Sequence, residues 1–413
     1  MSSTSAAPFL NIFDPEFHYE HPAIVQAREQ GWYADTPLGP IVLRHEDVWA
    51  LLRDRRLVPG GRRYMHKIGI TEGPLYDWFV YMLASLPPDD HKRVRALVTK
   101  AFSPRMVEGL RPVVRSIAER LADKIAEGSD ECEFVEAFAE PLPALVMCEM
   151  LGVPAEDYDQ FHRWANEIGL VFNTSAERAR SERAVIGLSQ YVESLVARRR
   201  ETPGADLISA LVQVEEAGER LTTAELHNLL VLLVWAAQDT TARQLGRAVL
   251  AFSEYPEQWE LLRERPELIT QAVEEICRWS PQARVTFRAV NEDLAYRGLE
   301  LPTDTMVLFS IWAANRDPRA YENPDSLDIT AVREPRQLVF GGGPYTCLGA
   351  GAARLELAEG IAALVRRFAP PSVTGPITWG PPTAMIHGPH ELPLRLAPRS
   401  PITAAEAPVG LGA

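Results

Sequence analysis

One cysteine stands in a sequence context that favours chemistry. Residues 340–349 read FGGGPYTCLG, so Cys347 follows three consecutive glycines and precedes a helical pattern over 348–368. A sulfur at a helix N-terminus meets unpaired N–H groups and the positive end of the helix dipole, and both favour the thiolate over the thiol. The glycines allow a bulky flat group to approach the backbone closely. The alternative is that Cys347 is a small buried apolar residue.

A second group of polar residues lies in the middle of a predicted helix. Residues 222–225 read TTAE, which fits a capping box, and the following run 229–237 is apolar on every side, so this helix must be buried all round. Four polar residues follow it, where side chains compete with the backbone for hydrogen bonds: Gln238, Asp239, Thr240 and Thr241. Such residues in a buried helix indicate a function. The alternative for Thr240 is a hydroxyl that only bonds back to the preceding turn.

Charged residues at helical spacing indicate two further features. Glu275 and Arg278 are three positions apart and share one helix face, where they can form an ion pair. If the pair is solvated, it contributes ~0–1 kcal/mol. If it is buried, removal of one partner costs about 3–5 kcal/mol. His91 and Arg95 are four apart on one face, for which the default interpretation is a solvated basic surface.

The composition excludes several classes of protein. The 413 residues include 42 basic and 56 acidic ones, and the net charge of −14 disfavours binding to a phosphate backbone. The four cysteines are too far apart for a disulfide scaffold or a zinc motif, so a reducing cytoplasm is the simplest setting. The N-terminal sequence does not resemble a signal peptide, and the longest apolar run has nine residues, short of the ~18–20 that cross a bilayer. We therefore expect a cytoplasmic protein without nucleic-acid or membrane partners.

Helical periodicity dominates the chain. Apolar residues at steps of three and four predict these helices beside the one that begins near 222: 107–125, 144–151, 156–168, 182–200, 206–216 and 348–368. Short apolar runs between glycines and prolines predict these strands: 41–44, 294–301, 306–311 and 392–396. No linker divides 9–398, so we expect one large, mainly α-helical domain with a small β region. Residues 1–8 and 399–413 are expected to be flexible ends.

These motifs together resemble those of the cytochrome P450 superfamily. The cysteine loop resembles the family's haem-binding loop, and EICR at 275–278 resembles its Glu-x-x-Arg helix. AAQDTT at 236–241 resembles the oxygen-activating part of its long central helix, and ANRDP at 314–318 resembles a segment of its soluble bacterial members. All occur in the family's order. The resemblance implies the cytochrome P450 fold and a bacterial haem-thiolate monooxygenase of secondary metabolism.

The resemblance also implies the cofactor and its contacts. It implies haem b (iron protoporphyrin IX) with the Cys347 thiolate as the axial iron ligand. It assigns further cofactor-binding roles to these residues: His91, Arg95, Arg288, Phe340, Gly341 and Tyr345. Tyr345 stands where the family usually has histidine, and its phenol can still hydrogen-bond to a propionate. The resemblance implies that the Glu275–Arg278 pair is buried and structural, with Arg333 as the candidate third member.

Catalytic and substrate-binding residues follow from the same resemblance. Asp239 and Thr240 resemble the acid–alcohol pair that supplies protons to dioxygen, although Ala237 replaces the family's usual glycine. The implied substrate pocket is apolar and partly aromatic, and its candidate residues are Trp235, Ala236, Arg284 and Phe287. Arg284 either points inward, where it would bind a substrate carboxylate, or lies outward in solvent.

We therefore expect an enzyme that inserts one oxygen atom from O2 into a small or medium organic substrate. The chain has no flavin or iron–sulfur cysteine spacing, so electrons must come from a separate ferredoxin or flavodoxin with its reductase. A basic run is the candidate docking site for that donor: Lys92, Arg93, Arg95 and Lys100. Two alternatives are a haem-thiolate peroxygenase on the same fold, whose members generally lack the acid–alcohol pair, and a non-enzymatic all-α binding protein.

Overall fold

The computed structural model describes residues 7–172, 175–204, 206–216 and 221–399. Both ends of this part join the folded body, because the Asp35 N–H donates to the Pro8 carbonyl (2.8 Å) and the Arg399 N–H donates to the Arg367 carbonyl (2.8 Å). Residues 1–6 and 400–413, which make up most of the two ends predicted to be flexible, lie outside the described residues.

Helices form most of the described chain. In order they are α1 (Pro22–Gln30), α2 (His45–Leu51), α3 (Gly61–Lys67), α4 (Pro74–Tyr81), α5 (Pro88–Ala101), α6 (Pro104–Gly109), α7 (Arg111–Ala126), α8 (Pro141–Leu151), α9 (Tyr158–Ile168), α10 (Ser175–Glu201), α11 (Leu207–Glu216), α12 (Thr223–Glu254), α13 (Pro256–Glu264), α14 (Ile269–Trp279), α15 (Ile311–Asn315) and α16 (Ala350–Arg367). A π-helical turn, Val135–Ala139, leads into α8. No described helix is both long enough and apolar enough to cross a bilayer.

The strands are short and form four small sheets in the described chain. They are β1 (Tyr33–Ala34), β2 (Ile41–Val42), β3 (Leu57–Val58), β4 (Glu131–Glu133), β5 (Val285–Val290), β6 (Leu294–Tyr296), β7 (Leu299–Leu301), β8 (Met306–Ser310), β9 (Ser372–Val373), β10 (Thr378–Trp379), β11 (Pro389–Glu391) and β12 (Pro393–Arg395). The largest sheet has the order β1-β2-β8-β5-β3, in which only β2 and β8 are parallel. A second sheet has the order β4-β12-β9, and β6-β7 and β10-β11 form two further pairs.

The predicted mainly α-helical domain with a small β region is confirmed. The helices predicted from 144 to 216 correspond to α8, α9, α10 and α11, and the one after the cysteine loop corresponds to α16. The predicted capping box is present at the start of α12. The Thr222 hydroxyl accepts from the Glu225 N–H (3.2 Å), and the Glu225 carboxylate accepts from the Thr222 N–H (2.9 Å). Within the apolar run 229–237, residues 229–234 are buried as predicted, but Trp235, Ala236 and Ala237 are only partly buried.

Three details of the predicted secondary structure are wrong. The single helix over 107–125 is two helices, α6 and α7, because Pro112 in the first turn of α7 cannot continue a preceding helix. The single strand over 294–301 is the hairpin β6-β7, whose two turn residues, Arg297 (φ 46°) and Gly298 (φ 84°), are both left-handed. Strand β5 was not predicted, although its residues pair with both β3 and β8.

Candidate active site

The loop that carries Cys347 is closed by its own backbone. The Cys347 N–H donates to the Phe340 carbonyl (2.8 Å). Gly341 has a φ of 71°, in the left-handed region that favours glycine. A Cβ on Gly343 would lie 2.6 Å from the Leu52 carbonyl oxygen, so this glycine allows the loop to lie directly against the end of α2. The glycine run therefore shapes and braces the loop that presents the sulfur just before α16.

The surroundings of Cys347 affect its ionisation in opposite directions. Desolvation by the surrounding protein raises the pKa of the thiol, although the side chain itself is accessible. The N–H groups of Gly349 and Ala350 at the start of α16, together with the charges of Arg95 and Arg354, lower that pKa. The helix N-terminus favours the thiolate as the sequence predicts, but desolvation has the larger effect and the net pKa is raised. A coordinated metal ion would hold the sulfur as the thiolate.

Basic side chains from two other elements gather beside this loop. The His91 ring on α5 lies 4.5 Å from the Tyr345 ring, and the Arg288 guanidinium on β5 lies 5.3 Å from the same ring. Burial, with Arg95 and Arg288 nearby, lowers the pKa of His91 to about 4. Burial also lowers the pKa of Arg288 to about 10. We call His91, Arg95, Arg288 and Tyr345 the basic cluster.

The basic cluster fits the two propionates of haem. Within the part of the chain that the structure describes, Arg95 and Arg288 make no ion pair with a carboxylate, and the buried Arg288 Nε has no hydrogen-bond partner. Buried cations without a counter-charge are costly, and a carboxylate matches the planar fork of arginine. Cys347 lies at the same loop as Tyr345. The donor set therefore suits a flat, doubly acidic group with a metal at its centre.

The pair Glu275–Arg278 on α14 is buried. Arg278 donates through Nε and Nη2 to the two Glu275 oxygens (both 2.8 Å), and each side chain is only 1% exposed. Arg333, the candidate third member, donates to the same carboxylate at 2.9 and 3.2 Å. Arg278 also donates to the carbonyls of Asn315 (3.1 Å) and Pro324 (2.6 Å). The geometry matches the buried, structural alternative and not the solvated one.

Neighbouring residues fasten this network to the cysteine loop, and the sequence did not identify them. The Leu338 N–H donates to the Asn315 side chain (2.9 Å) at the start of the loop. Glu274 pairs with Arg354, whose guanidinium lies 4.3 Å from the Phe340 ring. Asn315 lies within the ANRDP motif, which was the available signal. No sequence signal pointed to Arg354, because its partners are distant in sequence.

On α12, the two predicted proton-handling residues have different surroundings. The Thr240 hydroxyl donates to the Ala236 carbonyl (2.8 Å), which is the back-bonding arrangement weighed as the alternative. Its oxygen keeps lone pairs that can accept a further hydrogen bond. The Asp239 carboxylate accepts from Arg243 Nε (2.9 Å), and its side chain is 36% exposed. The hydroxyl is therefore tied to the helix, while the carboxylate reaches solvent.

Two of the predicted pocket residues belong to one aromatic cluster. The Tyr64 ring lies 5.4 Å from Phe287 and 6.1 Å from Phe79, and both ring pairs are within 28° of parallel. The Trp78 ring lies 5.5 Å from Trp235, nearly perpendicular to it. Trp235 and Phe287 are only partly buried, although most residues beside them on α12 and β5 are buried. We call these five residues the aromatic cluster.

Arg284 does not lie outward in solvent, which was the second of its two predicted positions. Its side chain is 1% exposed and donates through Nη2 to the carbonyls of Pro382 (2.7 Å) and Ala384 (2.8 Å). Its guanidinium also lies 5.8 Å from the Tyr19 ring. The residue therefore supports the loop 382–384 through its Nη2 atom.

The basic run predicted to receive an electron donor does not form one surface. Arg93 donates to the Glu225 carboxylate at the start of α12 (3.2 Å). Arg95 lies in the basic cluster, close enough to affect Cys347. Lys92 is exposed, and the side chain of Lys100 lies outside the described residues. Helical periodicity separates these side chains, because neighbours in sequence point in different directions around α5.

The cysteine loop, the basic cluster and the buried α14 network together define a haem-thiolate protein. The family model for cytochrome P450 matches residues 65–375, and the chain belongs to this family. Family membership confirms the predicted fold, the oxidoreductase class and a haem held by a cysteine thiolate. It also shows that the non-enzymatic alternative is wrong.

Named relatives narrow the class further. The chain is 42% identical to luteothin monooxygenase of Streptomyces thioluteus over 392 residues, which is 94% of this chain and 96% of the relative. It is 37% identical to mycinamicin IV hydroxylase/epoxidase of Micromonospora griseorubida, over 86% of this chain and 88% of the relative. A solved structure of the bacillaene polyketide synthase cytochrome P450 PksS of Bacillus subtilis 168 matches with a TM-score of 0.84 at 32% identity, covering 94% and 100% of the two chains. The predicted haem-thiolate monooxygenase of secondary metabolism is thereby confirmed.

Proposed function

We propose that this monooxygenase inserts one oxygen atom from O2 into a flat, apolar organic substrate. The aromatic cluster supports this, because its partly buried rings Tyr64 and Phe287 lie nearly parallel and can stack against a planar molecule. The named relatives act in polyketide and antibiotic biosynthesis, which also involves organic substrates of small to medium size. Electrons come from a separate ferredoxin or flavodoxin with its reductase, since the chain carries no second redox motif.

The residues around the cysteine loop would hold the cofactor. When bound, a thiolate-ligated haem supplies the reductive activation of dioxygen. Cys347 would hold its iron through the thiolate, and the guanidinium groups of Arg95 and Arg288 would bind the propionates. The His91 ring lies 4.5 Å from the Tyr345 ring and would offer a further hydrogen bond to a propionate. The observation that carries the proposal is this meeting of one accessible cysteine with the buried Arg288 and the partly buried Arg95, neither of which pairs with a described carboxylate.

Asp239 and Thr240 would handle protons. Asp239 reaches solvent and can exchange protons with it. The Thr240 hydroxyl already donates to the Ala236 carbonyl, so it can accept a hydrogen bond from a water and orient that water toward the substrate side of α12.

The acid–alcohol pair can be tested by separating product from peroxide. With NADH, a surrogate ferredoxin and its reductase, Thr240→Ala should consume NADH but release hydrogen peroxide in place of most product. Thr240→Ser keeps the hydroxyl and is the matched control, with product yield near that of the wild type. An unchanged product yield in Thr240→Ala would remove Thr240 from proton supply.

The peroxygenase alternative is distinguished by the oxidant. A peroxygenase turns over with hydrogen peroxide alone, whereas we expect this enzyme to require O2 and reduced ferredoxin. The pair Asp239–Thr240 favours the monooxygenase, since a supply of two protons is needed only when dioxygen is the oxidant. Faster turnover with hydrogen peroxide than with the full electron-transfer system would favour the alternative.

Substrate shape can be tested by ligand titration. Binding is followed by the haem spin-state shift, with naphthalene and anthracene as flat ligands and decanoic acid as an aliphatic one. Because an aromatic contact contributes about 0.5–1.5 kcal/mol beyond its buried area, Phe287→Leu should weaken the flat ligands about three- to tenfold. Trp379→Leu, at an exposed tryptophan outside the aromatic cluster, is the control. Equal effects of Phe287→Leu on flat and aliphatic ligands would contradict the proposed preference.

A further inference from the structure

A buried arginine on α12 links the candidate proton donor to a second carboxylate. Arg243 donates through Nε to Asp239 (2.9 Å) and through Nη1 to the Pro389 carbonyl (2.7 Å). Its Nη2 lies 3.4 Å from a Glu140 oxygen at the start of α8. The Arg243 side chain is only 7% exposed. A Cβ on Gly388 would lie 2.8 Å from the Arg243 Cβ, so the backbone there packs directly against this residue and limits its movement.

The second carboxylate is in turn shared with a histidine on α9. His162 Nε2 lies 3.6 Å from the other Glu140 oxygen, and His162 Nδ1 lies 3.0 Å from the Gln238 side-chain oxygen. Gln238 directly precedes Asp239 on α12. The contacts from Asp239 through Arg243, Glu140 and His162 to Gln238 therefore begin and end at adjacent residues. The side chains of Glu140 and His162 are 24% and 22% exposed, which lets the histidine equilibrate with solvent.

We propose that Arg243 is a positioning residue for Asp239, and that Glu140 and His162 set how firmly it holds this carboxylate. The proposal rests on the proposed role of Asp239 in proton supply. When His162 is protonated, it attracts the Glu140 carboxylate, and Arg243 then interacts mainly with Asp239. When His162 is neutral, Glu140 competes for the Arg243 guanidinium, and Asp239 is held less firmly. This network makes proton supply by Asp239 depend on the protonation of His162, which does not touch the substrate.

The direction of the pH dependence follows from the surroundings of His162. Desolvation lowers the pKa of His162, but hydrogen bonds to Glu140 and Gln238 and the charges of Glu140 and Asp159 outweigh it, so the net pKa is raised. The protonated arrangement is therefore present below this raised pKa and is lost as the pH rises through it.

Other groups packed against the network do not reverse this direction. The Tyr158 ring is stacked on His162 at 5.8 Å, and Asn166 contacts His162 Nε2 at 3.2 Å, but neither carries a charge near neutral pH. His390 on β11 faces Arg243, Asp239 and Glu140, and burial together with Arg243 lowers its pKa. His390 is therefore neutral in the range where His162 titrates.

The first test reads the network without turnover. The nine histidines are labelled with 13C in the ring, and the reduced, carbon-monoxide-treated holoenzyme is titrated by NMR, with His162→Gln identifying the signal. Glu140→Gln should lower the pKa of His162. Arg243→Gln should raise it, because Glu140 loses its competing partner. Arg180→Gln is the matched control, because its partner Glu167 lies on α9, the helix that carries His162. A His162 pKa that is the same in Arg243→Gln and in the wild type would overturn the proposal.

The second test measures product formed per NADH consumed, as a function of pH. In the wild type this ratio should fall as the pH rises through the His162 pKa, and Glu140→Gln should abolish the fall. Arg243→Gln should lower the ratio by roughly tenfold or more at every pH, because a misplaced carboxylate transfers protons poorly. Arg243→Lys, with a compact ammonium group in place of the planar fork, should rescue it in part.

The outcomes separate this proposal from the one on which it rests. If Asp239→Asn forms product as the wild type does, the role of Asp239 in proton supply fails, while the NMR titration still reports the network. If Asp239→Asn is impaired but Glu140→Gln keeps the wild-type pH dependence, the positioning proposal fails alone. Should Arg243→Gln not fold, the partly exposed Glu140→Gln still decides the matter.

Discussion

Two helices of this protein carry an acid–arginine pair at helical spacing, and the two pairs differ in burial. On α14, Glu275 and Arg278 are each 1% exposed, and the remaining arginine donors bind loop carbonyls. On α12, Arg243 is 7% exposed but Asp239 is 36% exposed. Both pairs look alike in sequence, because three- and four-residue spacings each place two side chains on one helix face.

The difference shows that enclosure, more than spacing, decides what such a pair can do. Both members of the α14 pair are enclosed and hydrogen-bonded, and the pair holds chain segments together. The α12 pair fixes only its cation, while its carboxylate remains in contact with solvent and can gain and lose a proton. Structural support and proton handling thus come from the same local motif.

The largest expected effect is on the enclosed pair. Glu275→Gln removes the charge that Arg278 and Arg333 share and should lower the free energy of unfolding by about 3–5 kcal/mol. Glu274→Gln, one position earlier, is the matched control, because its pair with Arg354 is 34% and 37% exposed and should contribute only ~0–1 kcal/mol. Urea denaturation of the haem-containing protein measures both. Similar losses in the two variants would show that enclosure is not the cause.

A smaller effect is expected at the basic cluster. Arg288→Gln would remove a charged hydrogen-bond donor to a propionate, worth about 1.5–3 kcal/mol. Haem should therefore dissociate roughly ten to a hundred times faster, as measured by its transfer to an apoprotein acceptor. The exposed Arg105→Gln should leave the rate unchanged. Equal rates for the wild type and Arg288→Gln would place the propionates elsewhere.

A buried acid without a partner offers a third comparison. Glu356 on α16 is 4% exposed, one of its oxygens has no hydrogen-bond partner, and burial raises its pKa to about 8. Its ordinary pKa is about 4.5, so the folded state binds the extra proton and stability falls as the pH rises from 4.5 to 8. One pKa unit corresponds to ~1.4 kcal/mol. At pH 8 the free energy of unfolding of Glu356→Gln should exceed that of the wild type by more than this amount. Unfolding curves measured at pH 5 and pH 8 test this. The prediction is contradicted if the difference in free energy of unfolding between Glu356→Gln and the wild type is the same at both pH values.

The smallest expected effect on stability is at the half-exposed pair. Asp239→Asn should change the free energy of unfolding by less than ~1 kcal/mol, since solvent screens its carboxylate. The same variant should strongly reduce product per NADH. A loss of stability as large as that of Glu275→Gln would show that the α12 pair is structural after all.

The sequence predicted what local pattern controls. The capping box at Thr222, the glycine loop before Cys347 and the helix-face spacing of Glu275 and Arg278 all depend on residues within a few positions of one another. The same local logic failed where a proline interrupted a periodic run and where a two-residue turn divided strand 294–301, although both signals were present in the sequence.

Contacts between distant segments could not be predicted in this way. Arg284 binds carbonyls about a hundred positions away, and Arg93 binds a carboxylate 132 positions away. Their partners depend on how the whole chain packs. The network of Arg243, Glu140 and His162 joins α12, α8 and α9 and has no sequence signature for the same reason.

The central claim is that the sulfur of Cys347 holds the haem iron, and the absorption spectrum of the reduced protein under carbon monoxide tests it most directly. The wild type and the control Cys132→Ser should both show the strongly red-shifted Soret band of a thiolate-ligated haem. Cys347→Ser should lack that band. A red-shifted band that persists in Cys347→Ser would contradict the account.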